Sequence, residues 1–527
     1  WATGKIHCFY LKQEGATYKA QQEVFIAGRP LNATDISVGP DGALYFCTGG
    51  RGTDGGIYRV SYAGKQPTET LFASDPIDRV LSQPQMGADW SRSITARNRG
   101  TVGAAWGEQL ADAALDTERD VSERLQAVEL LVLFGPRPDD QLLLALANGE
   151  NLQVRAQATR LMYASTSLKC RDQLIRSLED EQAVIRRLAC EALTRSGLPT
   201  AAEKHVRMLA DEDRHVAFAA RRSLEQLPVE LWEDLVLALG EGEEIVGFCR
   251  GANALLAVRR DAAIANTVLQ KCQAHLTDKE SPYTEEQLTS LLRTTELAYI
   301  LGDLNGESAP ELGDMLLARY PSTNRAVDRE LVKLLVFLDV EGAAQKFAAQ
   351  IDSDIPPADK LHIAAHAARL QSGWDTDSKL ALMRYYESAR NLPAGYSVSA
   401  YVENFARDFF SKLSLEERGH ILSAGERWPT SALSVLARLP EEVETEMLAK
   451  LRALDGRVRP LCVKHDSFRR LRVGVLAVLG RSGEAESLAY LRETFRNEPE
   501  QRDTIAMSLT QHPGEESWPY LIESLKT

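Results

Sequence analysis

Arg124-Leu125-Gln126-Ala127, Val154-Arg155-Ala156-Gln157-Ala158, Ile185-Arg186-Arg187-Leu188-Ala189 and Val216-Ala217-Phe218-Ala219-Ala220 are four versions of one phrase, and their closing alanines stand 31 residues apart. Each phrase is followed by another apolar turn of helix. A period of that size is one helix–turn–helix unit, which cannot bury its apolar face alone and must stack on its neighbours. The small alanine lets two helices approach closely, and the apolar i, i+3, i+4 positions face the adjacent helices. Between the helices of one unit lies an acidic turn such as Glu179-Asp180-Glu181, whose carboxylates suit the N-terminus of the helix that follows. The expected body is a helical solenoid.

Composition narrows the function classes. The chain has 527 residues, of which 44% are apolar and 26% charged, a globular composition too long for a single core. A net charge of -14 argues against a general nucleic-acid binder, which needs a basic stripe to neutralise phosphates. No apolar run reaches the ~18 residues that span a bilayer, so membrane insertion is not expected. The seven cysteines (Cys8, Cys47, Cys170, Cys190, Cys249, Cys272 and Cys462) are scattered without a Cys-x-x-Cys pair, which fits neither a zinc site nor a disulfide framework. Cys190 reads as a small hydrophobe inside a repeat helix.

Upstream of the repeats the period changes from helical to two. Trp1 through Tyr10 already alternates like a strand, and we expect the natural chain to start further upstream. Asp35–Phe46 and Gly55–Tyr62 are alternating runs, and Pro40-Asp41-Gly42 is a tight-turn signal that makes an antiparallel hairpin of the segments beside it. Gly4–Phe9 and Gly56–Val60 look like the same strand of successive β-propeller blades. Residues 1 to about 70 supply between one and two of the four-stranded blades a propeller needs. The segment that follows carries proline and glycine but also Trp90, with Trp106 close behind, and is expected to lie against the array. After about residue 260 the strict spacing decays. Helical periodicity persists over Glu285–Leu304, Asp328–Phe337, Lys360–Arg369, Lys379–Arg390 and Ser399–Leu413, and a repeat-like stretch returns at Leu471–Gly480.

Candidate chemistry is sparse. His362 and His366 stand four apart on one helix face, the spacing of paired zinc ligands, but Ile363-Ala364-Ala365 between them lacks the glutamate of a metalloprotease, and packing is the alternative. Cys462-Val463-Lys464-His465 lacks the second cysteine of a haem attachment. Gly49, Gly50, Arg51 and Asp54 mark a glycine-rich loop that could cradle an anion through successive N–H groups, or be a plain interstrand loop. Arg155 and Arg186 recur once per repeat and are candidates to line a partner groove, or else to join acidic residues of the adjacent repeat. No nucleophile–base or paired-carboxylate set can be placed on defined elements, so no catalytic residue is assigned.

Val38–Tyr45 with Gly49-Gly50-Arg51 and Gly56–Val60, Gln83-Pro84 with Trp90-Ser91-Arg92, Gly373-Trp374, Gly395-Tyr396, Tyr401, and His512-Pro513 with Trp518–Leu521 and Ser524-Leu525 together resemble a family of large multidomain proteins best known from planctomycetes and related bacteria. That family joins a propeller like those of soluble quinoprotein sugar dehydrogenases to HEAT-like repeats and often a C-terminal cytochrome c domain. No Cys-x-x-Cys-His occurs here, and most of a propeller is missing. The resemblance implies a periplasmic or otherwise extracytoplasmic protein. It also implies that quinone and calcium, or haem c, would belong only to absent parts of the parent, with no cofactor in this chain.

The expected fold is therefore mainly α: a HEAT-like α-solenoid preceded by a small antiparallel β segment resembling the last blade or blades of a propeller. The expected plan is 1–70 blade, 71–103 linker packed on the array, 104–260 repeats, 261–455 irregular helical domain and 456–527 C-terminal HEAT-like helices. The expected function is a non-catalytic scaffold docking protein partners or other domains of the same polypeptide. The alternative is part of a quinoprotein-type sugar or aldose dehydrogenase whose active site lies in the missing propeller.

Overall fold

The computed structural model describes residues 4–29, 31–50, 52–64, 73–197, 202–239, 244–277, 283–389 and 397–525. Five strands come first: β1 (Lys5–Glu14), β2 (Thr17–Ala27), β3 (Ala33–Val38), β4 (Leu44–Gly50) and β5 (Thr53–Val60). They form two separate antiparallel sheets, β1-β2 and β3-β4-β5. The Pro40-Asp41-Gly42 turn joins β3 to β4 as its sequence requires, with Gly39 N–H donating to Ala43 O at 2.8 Å. The two strands expected to be equivalent in successive blades, β1 and β5, lie in different sheets, and among the described residues those sheets have two and three strands.

Helices follow: α1 (Pro76–Leu81), α2 (Asp89–Val102), α3 (Trp106–Leu115), α4 (Val121–Phe134), α5 (Asp140–Ala147), α6 (Leu152–Leu161), α7 (Leu168–Ser177), α8 (Ala183–Ser196), α9 (Ala202–Met208), α10 (Arg214–Leu224), α11 (Glu233–Ala238), α12 (Ile245–Arg259) and α13 (Ala262–Thr277). The segment read as a linker is thus largely helical. Asp75 caps α1 through the N–H groups of Ile77 and Asp78, and Pro76 sits in its first turn, where a missing N–H removes no helical bond. Gln126 of α4 donates to the carbonyls of Val80 and Gln83, both at 3.0 Å, which ties this segment to the array.

The repeats pack as pairs, α3 on α4, α5 on α6, α7 on α8, α9 on α10 and α11 on α12, while α4, α6, α8, α10 and α12 also stack on one another in series. Ala127, Ala158, Ala189 and Ala220 sit on α4, α6, α8 and α10, and each is 0% exposed. Thirty-one residues after Ala220 comes Gly251 of α12. A Cβ there would lie 2.7 Å from Val236 Cγ1 and 3.0 Å from Leu209 Cδ1, so at this rung even a methyl is too large. Around the alanines, Leu110, Leu130, Leu174 and Met162 are buried in one continuous apolar cluster. Each fully buried leucine there contributes roughly 1.5–3 kcal/mol.

The chain divides into two units, Trp1–Ile264 and Ala265–Thr527. In the second lie α14 (Glu285–Leu301), α15 (Leu312–Arg319), α16 (Arg325–Phe337), α17 (Ala343–Asp352), α18 (Pro357–Ala367), α19 (Thr376–Ala389), α20 (Ser397–Phe409), α21 (Leu415–Ser423), α22 (Pro429–Leu436), α23 (Thr445–Val458), α24 (Asp466–Ser482), α25 (Ala485–Asn497), α26 (Arg502–Leu509) and α27 (Trp518–Ser524). Here α14, α16 and α18 stack in series, as do α19, α22, α24 and α26. Over the stretch read as irregular, the residue identities have drifted but the helix-on-helix stacking continues, because any apolar face of the right period can pack on the next.

Candidate docking surfaces

In the first unit the polar side of the array is organised by arginines. Arg155 of α6 pairs with Asp180, and Arg186 of α8 pairs with Asp211, each aspartate lying in the turn of the next repeat. Arg186 donates Nε to Asp211 Oδ2 at 2.8 Å and Nη2 to Asp211 Oδ1 at 3.0 Å, while Nη1 reaches the carbonyls of Asp180 and Glu181. The Asp211 carboxylate holds the Arg186 guanidinium even more firmly protonated than usual. Both guanidinium groups are therefore engaged within the array, the second of the two roles considered for them. Beside this ladder lies an open hollow of about 450 Å³ lined by Glu179, Arg186, Lys204, Arg207, Asp211 and Glu212 among others. Lys204 is held by Glu179 at 2.7 Å.

The β segment is fastened to the helices at named atoms. Val38 of β3 donates its N–H to Gln85 Oε1 at 2.7 Å and accepts from Trp90 Nε1 at 2.9 Å. The turn between β1 and β2 is fastened at Ala16, whose N–H donates to Asp213 Oδ2 at 2.7 Å and whose carbonyl accepts from Arg187 Nε at 2.9 Å. Asp213 and Arg187 were not among the residues singled out. Their only sequence signal is a position in the repeat, Asp213 being the residue just before α10.

The other candidates fall as follows. His362 and His366 do share a face of α18, with ring centroids 4.5 Å apart. His362 Nε2 lies 3.0 Å from Arg329 O, a contact that uses one of its two ring nitrogens. Burial lowers the pKa of both imidazoles, His366 to about 4. Among the described residues, no group of three or more His, Cys, Asp or Glu side chains could hold a metal ion. In the glycine-rich candidate stretch Gly49 and Gly50 end β4, Asp54 lies in β5, and Gly50 pairs directly with Thr53, which commits much of this backbone to the ladder. Arg51 lies outside the described residues, as does the Gly395-Tyr396 element of the resemblance. His465 caps α24, its Nδ1 accepting from Ser467 N–H at 3.2 Å, and Cys462 Sγ turns to Val458 O. Cys190 is fully buried, and burial pushes its thiol well above the ordinary range, as a packing role requires.

In the second unit the stacked helices α14, α16 and α18 share a charged seam. Arg293 Nη2 lies 2.8 Å from Glu330 Oε1, Lys333 Nζ 2.9 Å from Glu296 Oε2, and Lys333 also pairs with Glu330. Burial, opposed by Lys333 and reinforced by Glu330, raises the Glu296 carboxyl to about 7. Among the described residues no helix is long and apolar enough to cross a membrane.

Fold and surface together define a helical-repeat solenoid that carries a small antiparallel β segment. No family model matches the chain, and neither does any curated protein. Among solved structures it is similar to Kap121p bound to Ste12p (12% identity, TM-score 0.38, covering 85% of this chain and 57% of that one). It is also similar to importin beta (12% identity, TM-score 0.34, 83% and 56%) and to UNC-45 from Drosophila melanogaster (14% identity, TM-score 0.24, 88% and 69%). The chain thus spans little more than half the length of the Kap121p and importin beta chains.

Proposed function

We propose that this chain is a non-catalytic scaffold whose repeats dock protein partners or other domains of the same polypeptide, within a larger extracytoplasmic and redox-linked protein. The observation that carries the reading is the fastening of the β segment to the helices, at Val38 by Gln85 and Trp90 of the α1–α2 segment and at Ala16 by Asp213 and Arg187 of the repeats. Helices that hold a β module by its main chain are acting as a platform. The apolar face of β1-β2 supports the same reading: Phe9, Leu11, Tyr18 and Val24 share it by register and are 54%, 65%, 55% and 49% exposed. Exposed apolar patches of this kind mark surfaces meant to be covered.

The test is chemical cross-linking of the protein purified from its source, with the linked peptides identified by mass spectrometry. Links that join lysines of the repeats to a defined partner or further domain are expected. A native preparation that migrates as a lone chain, without such links, overturns the reading. The dehydrogenase alternative draws on the blade-like β3-β4-β5 sheet, and dye-linked sugar oxidation that depends on added quinone and calcium would favour it.

A further inference from the structure

The tip of the β1-β2 hairpin leaves its own sheet and enters the helical array. Ala16 is 0% exposed, and its methyl belongs to the same apolar cluster as the repeat alanines. Its two main-chain polar groups are each satisfied by one charged side chain, Asp213 for the N–H and Arg187 for the carbonyl. Gly15 has φ +56°, which fits the primed turn of a two-residue hairpin, and a Cβ on it would lie 2.2 Å from Asp213 Oδ2. The seat therefore reads backbone, and admits only glycine followed by a small residue.

Asp213 divides its two oxygens between two tasks. Oδ1 caps α10, accepting from His215 N–H at 2.8 Å and Val216 N–H at 3.3 Å. Asn151 caps α6 in the same way at the same place in the repeat, through Gln153 N–H and Val154 N–H. One oxygen is enough for the cap, so Asp213 Oδ2 is available to the turn. Burial pushes the Asp213 carboxyl up, but the N–H donors of Ala16, His215 and Val216 outweigh it and keep the group below the ordinary carboxylate range. Arg187 is aimed by Glu191, one turn along α8, at 2.6 Å.

We propose that Asp213 and Arg187 form a binding site for the main chain of a β-turn, specific for glycine followed by a small residue, by which the repeats hold a β-sheet module. The proposal rests on the scaffold reading for its meaning, though the site itself stands on the contacts above. In the intact chain the β1-β2 turn fills the site.

The experiment uses the full chain carrying Gly15→Val, which strains the turn and collides with Asp213, so that the site is vacated. The probe is a cyclised peptide containing Leu11–Ala20, since a free two-stranded hairpin is marginal in water. The peptide is expected to bind the Gly15→Val chain and not the unaltered one. Adding Asp213→Asn, which keeps the helix cap as Asn151 does but turns an amide donor toward Ala16 N–H, is expected to weaken binding roughly tenfold or more. No binding by the Gly15→Val chain with its helicity intact, or equal binding after Asp213→Asn, overturns the proposal. Hydrogen exchange at the Ala16 amide is an independent measurement without the turn substitution: Asp213→Asn alone should accelerate it roughly tenfold or more, and an unchanged rate overturns the site. Failure of the scaffold reading would show instead as absent cross-links with peptide binding intact.

Discussion

Arg186 grips Asp211 of the following repeat through two hydrogen bonds of 2.8 and 3.0 Å, one to each carboxylate oxygen. The aspartate side chain is 10% exposed and the arginine 20%, so solvent screens the pair only in part. Planar two-point contact of this kind depends on the guanidinium fork, which lysine lacks. Arg186→Lys is expected to destabilise the first unit by about 1–2 kcal/mol. A double-mutant cycle of Arg186→Ala with Asp211→Ala should give a coupling of about 1–3 kcal/mol in denaturant unfolding, and a coupling near zero would show the rung to be ornamental.

Gly251 occupies the fifth place in the alanine series and faces the stiff, branched side chain of Val236. Gly251→Ala gains about 1 kcal/mol of helix propensity but overfills the contact, a penalty of about 1–3 kcal/mol. The net expectation is a lower melting temperature, whereas an ordinary exposed glycine in a helix would be stabilised by the same change. A raised melting temperature would mean that Val236 and Leu209 can give way.

Opposed titrations meet on the seam of α14, α16 and α18. The Glu296 carboxyl is raised to about 7 from 4.5, chiefly by burial, so the folded state holds the extra proton and stability falls as pH rises from 4.5 to 7. His366 is lowered to about 4 from 6.5, again chiefly by burial, so its contribution is complete above 6.5 and is lost as pH falls toward 4. Glu296→Gln should remove the first dependence, leaving stability that rises with pH across this window, and should stabilise the second unit by about 1–3 kcal/mol at pH 8. His366→Asn should leave the opposite slope. Chemical denaturation at several pH values measures both, and parallel curves for the two variants would contradict the assignment.

Arg472 is 4% exposed in its side chain and lies between Asp455, at 0%, and Glu498, at 9%. Tyr490 OH also donates to Asp455 Oδ2 at 2.7 Å. Arg472→Met removes the buried cation and leaves Asp455 to the Tyr490 hydroxyl and Glu498 to the more exposed Arg459, which is expected to cost about 3–5 kcal/mol of stability in the second unit. Replacing the arginine and both carboxylates by apolar residues of similar size should recover most of that loss, as read by thermal unfolding.

The alanine phrase was legible because each solenoid contact joins residues close in sequence. Arg186 reaches Asp211 only 25 residues on, and each closing alanine is repeated 31 residues later, so local periodicity and tertiary packing carry one message. The Pro40-Asp41-Gly42 hairpin was legible for the same reason. The α1–α2 segment was not, because α1 has 6 residues, too few for a period to register, and α2 buries Ser91, Thr95 and Asn98 in place of an apolar face. In the glycine-rich stretch Gly49, Gly50 and Asp54 belong to strands, because glycine permits a turn without excluding the paired backbone beside it.

Local sequence by itself determined the helix-pair body, its closely packed alanines and the strands before it, since period and turn chemistry act over a few residues. Only the tertiary structure decided that Arg155 and Arg186 close on neighbouring repeats, and that Ala16 is held by Asp213 across 197 residues of chain. The physical reason is that a carboxylate capping a helix and a carboxylate that also receives a distant N–H are the same letter in the sequence. Which one it is depends on what the fold places against its second oxygen.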